Sequence, residues 1–187
     1  MWVSIVSMKV LIAMSDTDDS ALTVKITGSQ WKWHYEYLDW EGQGGLDLDY
    51  YSILSTPSEE IIRPVLASGL FPKNTAKDSY REDGIYPERD ELYKRDVDKP
   101  LIIPTGRKVR FLITSDDVIH SWWVPDFAVK KDANPGFINE AWANVNEPGV
   151  YRGQCAELCG KDHGYMPVVV IAKEPAEFEA WMGEQEE

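Results

Sequence analysis

The sequence is poor in the residues that disulfide scaffolds and multi-metal proteins require. Its 187 residues include two cysteines and three histidines. Two cysteines exclude a disulfide-rich scaffold, and three histidines leave little room for several metal sites. The sequence also contains no internal repeat and no glycine-rich phosphate-binding loop. Any metal chemistry must therefore rest on few residues.

Positive charge is also scarce. Lysine and arginine number 19 against 32 aspartates and glutamates, which gives a formal net charge of −13. Nucleic-acid binding needs clustered cations opposite the phosphates, so we expect no nucleic-acid partner. Basic partners or simple solubility fit this charge better. The apolar fraction of 43% is enough for one core, and the length suits one domain with appendages.

The first residues form an apolar segment. Residues 1–14 (MWVSIVSMKVLIAM) are apolar except for Ser4, Ser7 and Lys9. A helix of this length would extend about 21 Å, whereas the hydrocarbon core of a bilayer is about 30 Å thick. The segment also lacks the basic region and the cleavage site of a signal peptide. Two hypotheses remain, an amphipathic docking helix or the end of a longer membrane helix.

Most of the remaining chain has the alternation of short β-strands. Leu22, Val24 and Ile26 alternate with polar residues, and an aromatic alternation follows over residues 31–37. Short strands at this spacing, separated by proline and glycine, predict an all-β sandwich or Greek-key barrel. Further strands are predicted at residues 46–54, 101–104, 108–115, 142–145, 149–154 and 168–172, and a short helix at 175–182.

A proline-rich, charged stretch interrupts this pattern. Residues 56–100 have few long apolar alternations, so we expect an extended and partly irregular excursion there. The predicted organisation is therefore an apolar segment at 1–15, one β domain at 20–182 that contains the excursion, and an acidic tail at 183–187.

Soft metal ligands are concentrated near the C-terminal end. Cys155, Cys159, His163 and Met166 follow the spacing C-x3-C-x3-H-x2-M, and His120 lies upstream, just after a predicted strand. Copper is the metal that most often uses thiolate, imidazole and thioether together. A single blue-copper site needs only one cysteine. Two thiolates that bridge two copper ions would use both cysteines, with one histidine on each ion.

Other interpretations of these residues exist. The two cysteines could form a strained disulfide in an oxidising compartment. Two cysteines and two histidines could hold zinc, although zinc has no use for a methionine. Taken singly, Met166 is typical of a core residue and His120 of a satisfied polar residue. The occurrence of all five residues in one order favours the metal site over these alternatives.

The residues around this cluster resemble a known family. The matching segments are His120-Ser-Trp, Lys130-x-Asp132-Ala-Asn-Pro-Gly136, Tyr151-Arg-Gly-Gln-Cys155-Ala-Glu-Leu-Cys159-Gly, His163-Gly-Tyr-Met166-Pro and the aromatic run at 30–37. Over residues 20–55 and 97–182 the chain resembles subunit II of the haem–copper cytochrome c oxidases. The resemblance implies a cupredoxin-like Greek-key barrel with a binuclear copper A (CuA) centre. It also implies that residues 1–15 are the end of a transmembrane helix whose upstream part is absent.

The resemblance implies a role for each metal ligand. His120 and His163 would each bind one copper ion, and Cys155 and Cys159 would bridge both ions. Met166 would be the weak axial ligand of one copper ion. These roles follow from matching positions in the family motif.

Further roles implied by the resemblance lie around the copper ligands. The backbone carbonyl of Glu157 would bind the second copper ion, and its side chain would bind a magnesium or manganese ion shared with subunit I. Trp31 would receive electrons from a lysine-ringed cytochrome c, steered by acids nearby in the sequence (Glu36, Asp39, Glu41, Asp47 and Asp49). Phe137 stands where many members have arginine, so an arginine contact with subunit I is not expected.

The implied function is that of an electron-accepting subunit of a terminal oxidase, an oxidoreductase and translocase. Electrons would pass from cytochrome c to haem in subunit I, with subunit III and the membrane as further partners. The domain would lie on the periplasmic side of the cell inner membrane, or alternatively on the intermembrane-space side of the mitochondrial inner membrane. The alternative functions are a CuA module of a nitric-oxide or nitrous-oxide reductase and a copper-storage or chaperone protein.

Overall fold

The computed structural model describes residues 2–42, 47–55, 92 and 94–185. Most of the predicted excursion at 56–100 and the last two residues of the predicted acidic tail lie outside these ranges. The described residues form the helices α1 (Trp2–Met14) and α2 (Pro175–Gln185) and the strands β1 (Leu22–Ser29), β2 (Lys32–Trp40), β3 (Leu48–Ser52), β4 (Leu101–Pro104), β5 (Lys108–Ser115), β6 (His120–Val124), β7 (Val129–Ala133), β8 (Asn139–Asn144), β9 (Gly149–Cys155) and β10 (Pro167–Lys173).

The strands form two sheets of five. The first has the order β3-β2-β1-β5-β8 and the second the order β4-β10-β9-β6-β7. β1 runs parallel to β5 and β4 parallel to β10, and the other pairings between these strands are antiparallel. The chain leaves the first sheet after β5, forms β6 and β7 in the second, and returns as β8. This architecture confirms the predicted all-β class.

The core lies between the two sheets and is built from alternate residues. In β5, Val109, Phe111 and Ile113 are fully buried, while the residues between them are only partly buried. Successive side chains of a strand point to opposite faces, so this alternation directs one apolar row inward. From the opposite sheet Trp122 contributes a fully buried ring whose centroid lies 5.0 Å from that of Phe111. Each such large apolar side chain contributes roughly 1.5–3 kcal/mol when buried.

The hairpin of β6 and β7 was not predicted from the sequence. Four of the five residues of β6 are buried, whereas β7 is buried only at Val129 and Ala133. Neither strand therefore alternates apolar and polar residues, which is the pattern that identifies a half-buried strand. A 3₁₀ turn at Pro125–Phe127 joins them and ends at Ala128, whose φ is 53°. His120 consequently begins a strand, rather than following one as expected.

The apolar helix α1 is largely exposed and contacts the β domain at its C-terminal end. Its side chains from Val3 to Met14 are exposed to solvent. The indole N–H of Trp142 on β8 donates a hydrogen bond to the carbonyl of Ala13, with an N–O distance of 3.2 Å. Within the described ranges, none of the helices is both long enough and apolar enough to cross a membrane. The assignment of this segment to a membrane helix stays a prediction.

Gly153 allows β9 and β6 to approach each other closely. A Cβ atom at this position would lie 1.7 Å from the carbonyl oxygen of Trp123 on β6. Because the atoms that this Cβ would meet belong to the backbone of β6, they cannot move aside as a side chain can, and the two strands would have to separate. We expect Gly153→Ala to lower the free energy of unfolding by about 3 kcal/mol, the upper range for overpacking. Urea denaturation of the purified chain measures this change.

The matched control is Gly183→Ala in α2, where an added Cβ meets nothing within 4 Å. Alanine is the better helix former by up to about 1 kcal/mol, so this variant should be at least as stable as the parent. Equal unfolding midpoints for the two variants would contradict the strand-contact role of Gly153.

Candidate metal centre

The candidate centre lies at the end of the second sheet, where β9 ends and β10 begins. Cys155 is the last residue of β9, and Cys159, His163 and Met166 lie in the loop that leads to β10. His120 is the first residue of β6, which pairs with β9. The topology thus brings together the first residue of β6, the last residue of β9 and three residues of the loop that follows β9.

Backbone hydrogen bonds hold the two ends of this loop together. The N–H of Cys155 donates to the carbonyl of Met166, with an N–O distance of 3.1 Å. The N–H of Ala156 donates to the carbonyl of Ser121 on β6 at 2.9 Å. These bonds continue the strand ladder past the end of β9, so the first ligands of the loop are fixed by the sheet itself.

The two cysteines face each other as free thiols. Their Sγ atoms are 3.8 Å apart, whereas a disulfide bond is about 2.05 Å long. Each thiol lies beside its own imidazole. The Sγ of Cys155 is 3.9 Å from Nδ1 of His120, and the Sγ of Cys159 is 3.5 Å from Nδ1 of His163.

Two weaker donors flank the thiols, one beside each sulfur. The Sδ of Met166 is 3.7 Å from the Sγ of Cys159, and the carbonyl oxygen of Glu157 is 3.4 Å from the Sγ of Cys155. The donor atoms of His120, Cys155 and Cys159 all lie within 4.8 Å of one another, close enough to hold a metal ion. Sulfur and imidazole donors in this combination suit copper.

Most of this site is shielded from water. The side chains of Cys155, Cys159 and Met166 are at most 3% exposed, and His120 is fully buried. The imidazole of His163 is only half-buried. One side of the site therefore faces the core and the other lies near the surface.

Burial and mutual repulsion separate the acidities of the two thiols. Burial raises the pKa of the Cys155 thiol, but hydrogen bonds with His120 and with the backbone at Ser121 and Glu157 outweigh it and lower the pKa to about 7. Burial, and then the charge of neighbouring Cys155, raise the pKa of Cys159 to about 12. Two like charges in one buried site oppose each other, so without a cation only one thiol ionises near neutral pH.

A carboxylate that sequence reasoning missed orients the buried histidine. Asp117 Oδ1 lies 2.9 Å from Nε2 of His120, so the other ring nitrogen, Nδ1, faces the thiols. The same carboxylate accepts the backbone N–H groups of Gln30 at 2.7 Å and Val118 at 2.6 Å. Burial raises the pKa of Asp117, but these hydrogen bonds lower it overall. An acid three residues before a ligand histidine was the available sequence signal, since such histidines commonly bond a carboxylate.

Trp31 lies in the turn before β2 and not within the strand predicted from the aromatic alternation over residues 31–37, which corrects that prediction at its first residue. Trp33 is in β2 and fully buried, with its ring centroid 6.0 Å from that of His120. Trp31 is half-buried, and its indole N–H donates to the carbonyl of Cys159 at 3.2 Å. The side-chain amide of Gln30, which sequence reasoning did not single out, donates to the same oxygen at 2.9 Å.

The acids expected around Trp31 are distributed along β2 and β3. Glu36 pairs with Lys25 at 2.6 Å, and Asp49 lies 2.7 Å from a ring nitrogen of His34. Because a strand rises about 3.3 Å per residue, the backbone of Glu36 lies roughly 13 Å along β2 from Lys32, the residue after Trp31. The Nζ of Lys161 lies only 5.5 Å from the centroid of the Trp31 ring. Steering by the acids stays a prediction, and a lysine contacts the indole directly.

Comparison with known sequences identifies the family. The family described as "Cytochrome C oxidase subunit II, periplasmic domain" matches residues 73–173. The probable cytochrome c oxidase subunit 2 of Rickettsia bellii is 34% identical over 180 residues, covering 96% of this chain and 55% of the relative. That of Rickettsia felis is 35% identical over 180 residues, covering 96% and 47%. The chain thus spans about half the length of these curated relatives.

Solved structures give the same result. The periplasmic domain of subunit II of cytochrome oxidase of Bradyrhizobium japonicum matches with a TM-score of 0.65 and 30% identity, covering 90% of this chain and 96% of that one. A mixed-disulfide intermediate between a thioredoxin-like protein and subunit II of cytochrome c oxidase matches with a TM-score of 0.61 and 30% identity, covering 90% and 93%. The cupredoxin-like fold is thereby confirmed, and the chain belongs to the family of the periplasmic domain of cytochrome c oxidase subunit II.

Proposed function

We propose that this chain is the electron-accepting part of subunit II of a terminal haem–copper oxidase. It accepts electrons from a cytochrome c and delivers them to haem in subunit I, where oxygen is reduced and protons are translocated. The observation that carries the proposal is the pair of thiol sulfurs 3.8 Å apart, each with its own imidazole nitrogen within 4 Å. Membership of the oxidase family favours this function over a nitric-oxide or nitrous-oxide reductase module or a copper-storage protein.

The donor set fits a binuclear copper centre. It offers two bridging thiolates, one imidazole nitrogen for each ion, and one weak donor on each side. When bound, two copper ions held by both thiolates would take up one electron and spread the change in charge over both ions, so little rearrangement would accompany it. The bridging thiolates would be those of Cys155 and Cys159, and the imidazoles those of His120 and His163. The weak donors would be the Sδ of Met166 and the carbonyl oxygen of Glu157.

The surrounding residues fix the ligands and connect them to the surface. Asp117 accepts the hydrogen bond of His120 Nε2 and holds the ring with Nδ1 toward the thiols. Burial of the cysteines excludes water and strengthens electrostatic interactions inside the site. Trp31 receives the electron, since its half-buried indole is hydrogen-bonded to the backbone of Cys159.

The proposed partners follow from the family and from the exposed residues. The exposed side chain of Glu157 would bind a magnesium or manganese ion shared with subunit I, and subunit III would complete the assembly. Helix α1 would be the end of a membrane helix, with the β domain on the periplasmic side of the cell inner membrane.

Thiol chemistry would precede copper loading. A relative forms a mixed disulfide with a thioredoxin-like protein. On the oxidising side of a membrane Cys155 and Cys159 can pair. A dithiol of a thioredoxin-like protein would then reduce this disulfide to two thiols and become a disulfide itself.

The first test concerns the bridge. The copper-loaded chain should bind two ions and be purple, with an electron paramagnetic resonance signal split by two equivalent copper nuclei. Cys155→Ser or Cys159→Ser should abolish that signal, because a hydroxyl is a hard ligand that bridges copper poorly. Met166→Leu, the control, should retain two ions, shift their reduction potential and make the sharing of charge between them unequal. Retention of the purple spectrum in either serine variant would refute the binuclear centre.

A second test separates the two roles of Glu157. Glu157→Gln keeps the backbone carbonyl but removes the charge of the side chain. We therefore expect unchanged copper content and weaker binding of manganese at the interface with subunit I. Metal analysis of the assembled oxidase, together with the manganese resonance signal, measures both. Loss of copper from the folded variant would contradict the assignment of copper to the backbone carbonyl and of manganese to the side chain.

A further inference from the structure

We infer that Gln30 is a positioning residue for electron uptake and acts through the carbonyl oxygen of Cys159. This inference rests on the proposed function, in which Trp31 receives the electron. The Nε2 of Gln30 donates to that oxygen at 2.9 Å, and the Nε1 of Trp31 donates to the same oxygen at 3.2 Å. Trp31, which receives the electron in the proposed function, and its neighbour Gln30 therefore both bond the same backbone atom of Cys159, a proposed copper ligand.

Sharing of the acceptor makes the two contacts interdependent. A carbonyl oxygen has two lone pairs, and here each is used by one donor. The amide of Gln30 fixes the direction of the carbonyl, so the indole N–H meets the remaining lone pair. Without the amide, the freed lone pair would take a water molecule and the peptide after Cys159 could rotate away from the indole.

Gly160 shows independently that the amide and the indole form one packed contact. A Cβ atom on Gly160 would lie 3.1 Å from Nε2 of Gln30 and 3.0 Å from Cζ2 of Trp31. Both side chains therefore lie against the same Cys159–Gly160 peptide. The φ of Gly160 is +124°, a conformation that residues with a side chain rarely adopt.

The backbone of Gln30 reaches the opposite side of the metal site. Its N–H donates to Oδ2 of Asp117 at 2.7 Å, and Oδ1 of Asp117 lies 2.9 Å from Nε2 of His120. Gln30 thus connects the buried histidine with a bridging cysteine. Because one connection uses the backbone and the other the side chain, a side-chain substitution breaks the Cys159 contact alone.

The test is Gln30→Met in the copper-loaded, assembled oxidase. Methionine keeps the length of the side chain and removes the amide donor. We expect two copper ions and an intact purple spectrum, with changed paramagnetic NMR shifts for the β-protons of Cys159. We expect electron uptake from reduced mitochondrial cytochrome c, one electron per ferrous haem oxidised, to slow about tenfold, the lower end for an outer-shell partner.

The matched control is Gln154→Met. Gln154 is exposed on β9, next to Cys155 in the sequence, so the same substitution there should leave uptake and NMR shifts unchanged. If Gln30→Met does not fold, Gln30→Glu provides the test, because it keeps the length and cannot donate at neutral pH. Uptake equal to that of the control, or loss of copper from a folded Gln30 variant, would overturn the inference.

A double substitution tests whether Gln30 acts through Trp31. In a Trp31→Phe background, Gln30→Met should slow uptake by less than twofold, because the shared contact is already lost. A full tenfold effect in that background would overturn the inference. If instead Trp31→Phe alone leaves uptake unchanged, the proposed role of Trp31 fails and the inference with it. If uptake is slow in Trp31→Phe but normal in Gln30→Met, the inference about Gln30 is rejected and the proposed role of Trp31 is retained.

Discussion

The pairing of β9 with both β6 and β10 is the constraint on which the metal site depends. β9 lies between these strands, so its last residue, Cys155, is bonded through its backbone to Met166 at the start of β10. The next residue, Ala156, is bonded to Ser121 of β6, one residue after His120. A loop closed at both ends by sheet hydrogen bonds has few conformations, which keeps the thiols of Cys155 and Cys159 close together.

The proposed histidine ligands occupy two different environments within this frame. His120 is fully buried between Gly28 and Trp33 and bonded to a carboxylate. His163 lies in a 3₁₀ turn and is half-buried. The site therefore combines a rigid inner side, where a misplaced side chain would clash with the core, and an outer side accessible to another protein. The proposed electron transfer would need both, because the geometry of the site must not change while electrons arrive from outside.

The sequence predicted the elements whose burial alternates, and the residues of its short-spaced motif lie together in the structure. The bounds of β4 and β5 were correct, because Leu101–Pro104 is fully apolar and Lys108–Ser115 alternates strictly. β6 and β7 were missed because β6 is buried on both faces and the three central residues of β7 are polar. Gln30 and Asp117 were missed for a different reason. Both lie outside the strands and leave no periodic pattern. For Asp117 the spacing of three residues to His120 was the available signal, whereas only the folded chain shows that Gln30 lies beside Cys159.

The net charge of the chain and the charges beside Trp31 act over different distances on an approaching protein. The net charge of −13 attracts basic proteins from a distance, and that field acts mainly on association rates. The indole of Trp31 is instead contacted by the charged Nζ of Lys161, which lies 3.9 Å from the carboxylate of Asp162. The opposite charges of this pair largely cancel at a distance, and salt further screens exposed charges separated by more than about 8–10 Å. In the proposed function, the final contact with an electron donor would therefore depend on the aromatic surface and on the hydrogen bonds beneath it, rather than on the acidity of the whole domain.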